Sequence, residues 1–302
     1  MDKMTHTGII IINYHCLKDT TACLGSLAKC KLAADLKVYV VEPESKNEAY
    51  PDLPLKPVVI PQLGNLGFAW ANNLGMKQAM ADGCETLILL NNDTEVKDDF
   101  LAPLLHRLKD PKIGMVSPKI YFSPGREFHH DDYMDSERGK VIWYAGGMID
   151  WPNVQAWHWG VNEVDHGQFT EAADTDFATG CCLGITKTTI GKIGLLDERY
   201  FLYLEDVDWS LRAKRAGLGI VFEPDSIIWH KNAGSTGGPG SATQVYYQTR
   251  NRIYFARRYA PFRTRLAVER ETIRFIRNGP ATVRQAAYDA LWRHYGKANH
   301  QI

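Results

Sequence analysis

The sequence predicts an α/β fold with a mainly parallel central sheet and helices on both of its faces. Short apolar runs alternate with helical patterns through the first half of the 302 residues, which is typical of βαβ units. The runs are apolar at successive positions, as in strands that are buried on both faces. Polar residues follow the ends of these runs, where ligands bind in open parallel sheets. The sequence therefore predicts a ligand site at one edge of the sheet.

The first half of the chain supplies the predicted parallel strands. The strands cover residues 9–12, 38–41, 57–60 and 87–90, and helical patterns begin at Leu17 and cover residues 68–81. Asn13 follows the first strand, Glu42 the second, and Asn91-Asn92-Asp93 the fourth. Because the carboxyl ends of parallel strands share one edge of a sheet, we expect these polar side chains to converge.

The second half of the chain is less regular. Residues 123–176 are rich in Gly, Pro, His, Asp and Trp, so we expect loops and irregular strands that wall a cleft. The tryptophans are Trp143, Trp151, Trp157 and Trp159. The elements expected next are a helix over 201–217, short strands over 220–222 and 227–229, a flexible Gly-rich loop over 234–241, and a largely helical segment from 244 onward with a break at Gly279-Pro280.

Composition and missing motifs argue against several classes of protein. No apolar run approaches the ~20 residues of a membrane-spanning helix, and the first residues lack the features of a secretory signal, so the expected location is the cytoplasm. The six cysteines include no C-x-x-C pair, which favours buried free thiols over a zinc or redox site. There is no G-x-x-x-x-G-K-[ST], and no G-x-G-x-x-G follows the first strand, so a P-loop kinase and a dinucleotide-dependent dehydrogenase are not expected.

Charge is unevenly distributed in a chain whose net charge is zero. From Arg250 onward there are twelve basic and three acidic residues, a net charge of +9 that the preceding part balances with −9. Such a segment is expected to face something anionic, either a membrane surface or nucleic acid. The alternative is a solvated helix face that balances the acidic part within the molecule.

The first candidate site is Asn91-Asn92-Asp93, which directly follows a predicted buried strand. A carboxylate at such a strand end is well placed to hold a hard divalent cation beside a diphosphate. An Asx turn or a helix cap explains the same residues without any ligand.

The second and third candidate sites lie further along the chain. Large aromatic residues bracket the acidic cluster Glu205, Asp206 and Asp208. Mutual repulsion is expected to raise the pKa of one carboxyl, which suits a general base. The alternative is that these acidic residues form a solvated helix face. His230, in Trp229-His230-Lys231, lies at a predicted strand end, where a ligand or phosphate role competes with that of a buried core histidine.

These motifs, in this order, resemble those of the family 2 glycosyltransferases, especially their rhamnosyltransferase-like bacterial members. The resemblance runs from about Ile9 to about Asn251. The matching segments are Ile11-Ile12-Asn13-Tyr14, Val40-Val41-Glu42-Pro43-Glu44-Ser45, Gly64-Asn65-Leu66-Gly67-Phe68-Ala69-Trp70-Ala71-Asn72-Asn73, Leu90-Asn91-Asn92-Asp93, Thr179-Gly180-Cys181-Cys182, Tyr203-Leu204-Glu205-Asp206-Val207-Asp208, His230 and Arg250-Asn251. The resemblance implies the GT-A fold, a Rossmann-like form of the predicted sheet.

The resemblance also implies an activity and roles for residues. A sugar is expected to pass from a nucleoside diphosphate to an acceptor hydroxyl with inversion, in cell-surface polysaccharide synthesis. Asp206 is then the general base, and Asp93 and His230 hold Mg²⁺ or Mn²⁺. The implied donor-binding residues are Ile12, Asn13, Tyr14, Glu42, Asn65, Gly67, Phe68, Asn72, Asn91, Asn92 and Asp93. The implied acceptor-binding residues are Gly180, Cys181, Glu205, Asp208, Trp209 and Arg250.

The implied domain organisation has two parts. A GT-A domain is expected over residues 1–245, with a donor-binding half (1–122) and an acceptor-binding half (123–245). A basic helical extension follows over residues 246–302.

Two residues depart from the pattern of the family. Asn91 replaces the first acid of its D-x-D, so metal binding is expected to depend on donor phosphates and His230. Glu42 replaces the aspartate that usually contacts the pyrimidine ring, which leaves the base preference open. The motif spellings favour dTDP-L-rhamnose as the donor, with UDP-galactofuranose, UDP-galactose or a UDP-HexNAc as alternatives. The expected acceptor is a saccharide or a lipid-linked saccharide.

The C-terminal segment carries the remaining expectations. We expect it to rest on the inner face of an anionic membrane, not on nucleic acid, and we leave a homodimer open. Its apolar residues are Phe255, Tyr259, Phe262, Phe275, Ile276 and Trp292. Two rival classes remain. The first is a nucleotidyltransferase, which is expected to need a Gly-rich basic loop where this chain has His15-Cys16-Leu17-Lys18. The second is a non-catalytic carbohydrate-binding protein, which Asn91 suggests.

Overall fold

The computed structural model describes residues 7–44, 50–232 and 240–299. Ser45 and most of the predicted Gly-rich loop, like the first six residues, lie outside this part of the chain. The strands are β1 (Thr7–Ile12), β2 (Leu36–Pro43), β3 (Val58–Gln62), β4 (Thr86–Leu90), β5 (Thr94–Val96), β6 (Ile113–Phe122), β7 (Ile142–Tyr144), β8 (Gly147–Asp150), β9 (Gln155–His158), β10 (Ala173–Asp174), β11 (Cys182–Thr186) and β12 (Gly219–His230). The helices are α1 (Leu17–Leu27), α2 (Phe68–Ala81), α3 (Leu101–Arg107), α4 (Lys187–Ile193), α5 (Glu205–Arg215), α6 (Ala242–Tyr259), α7 (Phe262–Asn278) and α8 (Ala281–Leu291).

One large sheet contains most of these strands. Its order is β10-β12-β6-β11-β4-β1-β2-β3, and β5 and β7 pair with β12 and β6. The four N-terminal strands are parallel in the order β3-β2-β1-β4, whereas β11 runs antiparallel to both β4 and β6. The predicted mainly parallel sheet with covering helices is confirmed.

The apolar run of β1 is explained by its burial on both faces. Ile9 and Ile11 face one core cluster, and Ile10 faces the other, where it meets Ala69 and Met76 of α2. Successive side chains of a strand point to opposite faces, so a strand covered on both sides must be apolar throughout.

The second half differs from the prediction at three boundaries. The helix predicted over 201–217 begins only at Glu205, because the residues before it turn through the left-handed region. The two short strands predicted over 220–222 and 227–229 are one strand, β12, with irregular pairing after Glu223. The terminal helical segment breaks at Pro261 as well as at Gly279-Pro280, since proline disfavours helical backbone in the residue before it.

The C-terminal helices share the core of the sheet. Ile253, Tyr254 and Phe255 of α6 are buried in the same cluster as Ile9 and Ile11. Within the described ranges, no helix is both long enough and apolar enough to cross a membrane. All six cysteines are free, and five of them are buried, as predicted.

Candidate active site

A cavity of about 780 Å³ opens at the carboxyl ends of β1 and β4. The sequence-predicted residues that line it are Ile12, Tyr14, Phe68, Asn91, Asn92, Asp93, Gly180, Cys181, Glu205, Asp206 and His230. The fold therefore brings the strand-end residues, the acidic cluster and the histidine into one space, although they are far apart in the sequence.

Asp206 lies in the first turn of α5 with both of its carboxylate oxygens fixed. The backbone N–H of Gly180 donates to Oδ2 at 2.8 Å, and that of Val207 donates to Oδ1 at 2.8 Å. Burial raises the pKa of Asp206 above its ordinary value, while these two N–H groups act in the opposite direction because they stabilise the ionised form. The result is an oriented carboxylate at the cavity wall, which is what a general base requires.

Glu205 precedes Asp206 and has different surroundings. Its side chain is buried, and Oε2 has no hydrogen-bond partner within the described ranges. Burial first, and then the charge of Asp206, raise the pKa of Glu205 well above its ordinary value. Neighbouring carboxyls with different surroundings are expected to differ in protonation, with the proton on Glu205 and the charge on Asp206.

The turn before α5 is held by side chains from α6. Phe201, Tyr203 and Leu204 have φ values of 64°, 71° and 71°, a backbone conformation that costs non-glycine residues free energy. The Asn251 amide donates to the carbonyls of Tyr200, Leu202 and Tyr203 at 2.7–3.0 Å.

Two further contacts fix the same turn. Arg250 donates to the Tyr200 carbonyl at 2.9 Å, and the N–H of Phe68 donates to the Phe201 carbonyl at 2.7 Å. The strained turn is thus supported from both sides, and it presents Glu205 and Asp206 to the cavity.

Asp93 and His230 form a pair on the cavity wall. His230 Nε2 lies 3.1 Å from Asp93 Oδ1, although the residues come from the β4–β5 connection and the end of β12. The antiparallel pairing of β5 with β12 places them together, because His230 lies opposite Thr94. Both side chains are largely buried.

The pair fits a divalent cation whose other coordination positions are filled by a bound ligand. Within the described ranges, no third His, Cys, Asp or Glu joins these two in a group that could hold a metal unaided. The carboxylate oxygen matches the oxygen donors that Mg²⁺ and Mn²⁺ prefer, and His230 adds one imidazole nitrogen. Mg²⁺ commonly takes its other ligands from substrate phosphates and water. The His230 Nδ1 is buried without a partner in the described ranges, so only Nε2 meets a protein group.

Several predicted donor-binding residues make contacts outside the cavity wall. Asn13 donates to Glu42 Oε1 at 3.2 Å and to the Tyr50 hydroxyl at 2.9 Å, and Glu42 is buried in this network. Asn65 accepts from the N–H of Gly67. Asn72, buried in α2, donates to the carbonyl of Phe68. These residues shape the loops beside the cavity, and their contact with a donor stays a prediction.

Three predicted acceptor-binding residues must be corrected. Asp208 has no exposed surface and binds Tyr200, Tyr259, Arg212 and Arg258. Trp209 is buried in the core and donates to the Gly194 carbonyl. Arg250 is also fully buried and bonded to backbone carbonyls. Because none of the three lines the cavity, they support its walls and do not touch an acceptor there.

The cavity also has residues that the sequence did not single out as a site. Trp143 and Trp157 line it, as expected for the predicted cleft wall, and His158 lies against Trp143. Burial lowers the pKa of His158 to about 4, so this ring is neutral at pH ~7. Its Nδ1 lies 3.0 Å from the Trp143 carbonyl, which only accepts, so Nδ1 carries the proton.

Helices α6 and α7 complete the wall. Arg252 lines the cavity and pairs with Glu271 at 2.6 Å, while Phe275 contributes an aromatic face. The sequence predicts that Arg252 and Phe275 lie in helices, but it does not show that these two side chains face the cavity.

Glycosyltransferases of the GT-A fold are the class to which this architecture belongs. The structure of GalNAc-T7 with UDP, GalNAc and Mn²⁺ aligns with a TM-score of 0.61 and 16% identity, covering 96% of this chain and 58% of that one. At such identity the similarity establishes the fold.

The chain belongs to glycosyltransferase family 2, since the family model described as "Glycosyltransferase like family 2" matches residues 5–256. The N-acetylglucosaminyl-diphospho-decaprenol L-rhamnosyltransferase of Mycobacterium tuberculosis is 26% identical over 253 residues, 78% of this chain and 80% of the relative. The dTDP-rhamnosyl transferase RfbF of Shigella flexneri is 23% identical over 211 residues, 64% of this chain and 61% of the relative. The protein is therefore a glycosyltransferase, which decides against the nucleotidyltransferase and carbohydrate-binding alternatives.

Proposed function

We propose that this protein is an inverting transferase that moves L-rhamnose from dTDP-L-rhamnose to a hydroxyl of a saccharide or lipid-linked saccharide. The observation that carries the proposal is that Asp206 and the Asp93–His230 pair line one cavity. The names of the two rhamnosyltransferase relatives support the donor, and the lipid diphosphate in the name of the mycobacterial relative supports the acceptor class.

In the proposed reaction, Asp206 acts as the base. It accepts the proton of the acceptor hydroxyl while the hydroxyl oxygen attacks the anomeric carbon. The bond from that carbon to the diphosphate breaks, and the nucleoside diphosphate leaves from the opposite side. General-base catalysis by a positioned side chain contributes typically about 10²–10⁴-fold. Glu205 holds its proton beside the base and offers a hydrogen-bond donor to an acceptor oxygen.

In this proposal the diphosphate of the donor lies beside Asp93 and His230. A divalent ion bound by this pair would neutralise the charge that develops on the leaving diphosphate. The Asp93 carboxylate is a ligand type that Mn²⁺ prefers, and the GalNAc-T7 structure contains Mn²⁺ together with UDP, which supports a divalent metal in this protein. Asn91, the residue that departs from D-x-D, donates its backbone N–H to the Cys181 carbonyl at 2.8 Å and so ties the metal side of the cavity to the Gly180 turn beside Asp206.

A donor screen tests the proposal. Purified protein is given dTDP-L-rhamnose, UDP-galactofuranose, UDP-galactose and UDP-N-acetylglucosamine in turn, each with a saccharide and a diphospholipid-linked saccharide acceptor, with Mn²⁺ or with EDTA. We expect the highest kcat/KM with dTDP-L-rhamnose and Mn²⁺, and a product of inverted anomeric configuration by NMR. A higher kcat/KM with a UDP-sugar would show that this sugar, and not dTDP-L-rhamnose, is the donor. A product with retained configuration would reject the inverting mechanism.

A further inference from the structure

Helix α7 exposes an apolar stripe. Phe262, Ile273 and Leu266 are 70%, 50% and 42% exposed. At 3.6 residues per turn, their positions lie within about 40° of one another around the helix axis. Single exposed apolar residues are common on protein surfaces, but three that share one helix face indicate an interaction surface.

Exposed arginines border this stripe on one side. Three exposed arginines lie within about 60° of Leu266 around the helix axis: Arg263, Arg270 and Arg277. No carboxylate pairs with them within the described ranges. The two glutamates of α7 are instead paired with arginines of α6: Glu269 with Arg257 and Glu271 with Arg252, each at 2.6 Å. Glu271 also lies 3.6 Å from Arg274 of α7. The exposed sector is therefore basic as well as apolar.

The opposite side of the same helix borders the active-site cavity. Phe275 lies about 180° from Leu266 around the axis and lines the cavity. Glu271, on the inward side, holds the cavity residue Arg252. Helix α7 thus separates the cavity from the exposed basic and apolar sector.

We propose that this face of α7, formed by Phe262, Leu266 and Ile273 with Arg263, Arg270 and Arg277, docks on an anionic lipid bilayer and holds the cavity beside the membrane surface. The face combines apolar side chains that enter the interface with cations that attract anionic headgroups, which is how interfacial helices bind membranes. A second copy of the chain is disfavoured as the partner of this face, because a two-fold contact would bring the arginines of the two copies together, where they repel. The proposal goes beyond the transfer reaction and does not depend on the donor.

Vesicle co-sedimentation without donor or acceptor tests the proposal. The full chain is mixed with vesicles of phosphatidylcholine alone or of equal parts phosphatidylcholine and phosphatidylglycerol. We expect binding to the anionic vesicles only, weakening as salt rises because the attraction is screened. The triple variant Arg263→Gln, Arg270→Gln, Arg277→Gln should partition on the order of 10²-fold more weakly, since each cation near an anionic surface contributes about 1 kcal/mol.

Two further variants make the test specific. The variant Lys29→Gln, Lys77→Gln, Lys109→Gln removes the same charge from exposed positions elsewhere and should bind like the unchanged chain. Leu266→Ser with Ile273→Ser should also weaken binding, whereas Met134→Ser, at a residue that is 66% exposed, should not. Circular dichroism confirms that each variant is folded.

Several outcomes would overturn the proposal. They are equal binding to neutral and anionic vesicles, no binding at low salt, or full binding by the triple arginine variant. Self-association or capture of an acidic protein through this face, without vesicle binding, would assign the face to that partner. Failure of the donor screen would leave the vesicle result intact, so the two proposals fail separately.

Discussion

At the scale of single residues, Glu205 and Asp206 show how neighbours in a chain acquire different chemistry. Asp206 accepts two backbone N–H groups, whereas Glu205 is buried with one oxygen lacking a partner in the described ranges. The burial and the adjacent charge hold the proton on Glu205. We expect Asp206 then to be the ionised member of the pair, oriented beside the acceptor space.

The change Glu205→Gln tests this assignment through stability. The folded protein keeps a proton on Glu205 that the unfolded chain releases above about pH 4.3, so the stability of the unchanged protein falls as pH rises from there toward the raised pKa. Glutamine carries no such proton. We expect the free energy of unfolding of the variant, relative to the unchanged protein, to increase as the pH rises above about 4.3, as measured by urea denaturation. A difference that does not change with pH would show that Glu205 is ionised in the folded state.

The change Asp93→Asn tests the cation at the Asp93–His230 pair. Loss of the one carboxylate in this pair should weaken donor binding in the presence of Mn²⁺ by at least the 10–100-fold that changes of second-shell partners cause. Calorimetry with the nucleotide sugar, with Mn²⁺ and with EDTA, measures the effect. In EDTA the variant should match the unchanged protein, and an equal loss in both conditions would mean that Asp93 contacts the donor without a metal.

At the scale of elements, the loop before α2 and the turn before α5 fit against each other. Gly67 has φ of +98°, and a Cβ there would press on the carbonyl oxygen and ring of Phe201. The same approach lets the N–H of Phe68 bond to that carbonyl. A glycine is therefore required both by the backbone angle and by the contact.

The change Gly67→Ala, with Gly64→Ala as its matched control, separates the two requirements. Gly64 also has positive φ, at +74°, but has open space around the position of a Cβ. Gly64→Ala should lose about 1 kcal/mol of stability from the backbone angle, and Gly67→Ala should lose more and also lower the transfer rate by moving the turn before Asp206. Denaturant unfolding and kcat measure both effects. Equal losses in the two variants would show that the contact with Phe201 is not constraining.

At the scale of the whole molecule, α6 joins the C-terminal helices to the catalytic turn. Asn251 and Arg250 support Tyr200–Tyr203, and Ile253 and Phe255 fill the main core. The family match also continues to residue 256, inside α6. The domain boundary expected at residue 245 stays a prediction, and from these contacts we propose that α6 belongs to the transferase domain.

A chain ending at residue 245 tests this organisation. It lacks the buried contacts of α6, so we expect it to lose cooperative unfolding and donor binding. A chain ending at Asn299 is the control, since it keeps every contact described above. Circular dichroism during thermal unfolding compares the two. A cooperative transition and donor binding by the shorter chain would show that the transferase domain folds without α6.

Sequence patterns predicted the elements better than the roles of buried polar residues. Helix α2 begins and ends at the predicted residues, because a helical pattern is a local signal. Asp206, Asp93 and His230 were predicted because strand ends and paired acids are visible in the chain, and the three residues line one cavity while their roles stay predictions. Asp208 and Arg250 could not be assigned correctly, since a buried hydrogen-bonded charge and an exposed ligand-binding charge have the same local sequence.

The contribution of Asp206 as the base is tested most directly by the transfer rate of Asp206→Asn, measured beside its donor affinity with the donor found in the screen. The variant retains one carbonyl oxygen for the N–H of Gly180 and loses the bond from the N–H of Val207. We expect the fold and the donor dissociation constant to survive this local loss, and circular dichroism checks the fold. We predict that kcat falls on the order of 10²–10⁴-fold. Transfer at nearly the rate of the unchanged protein would contradict the role of Asp206.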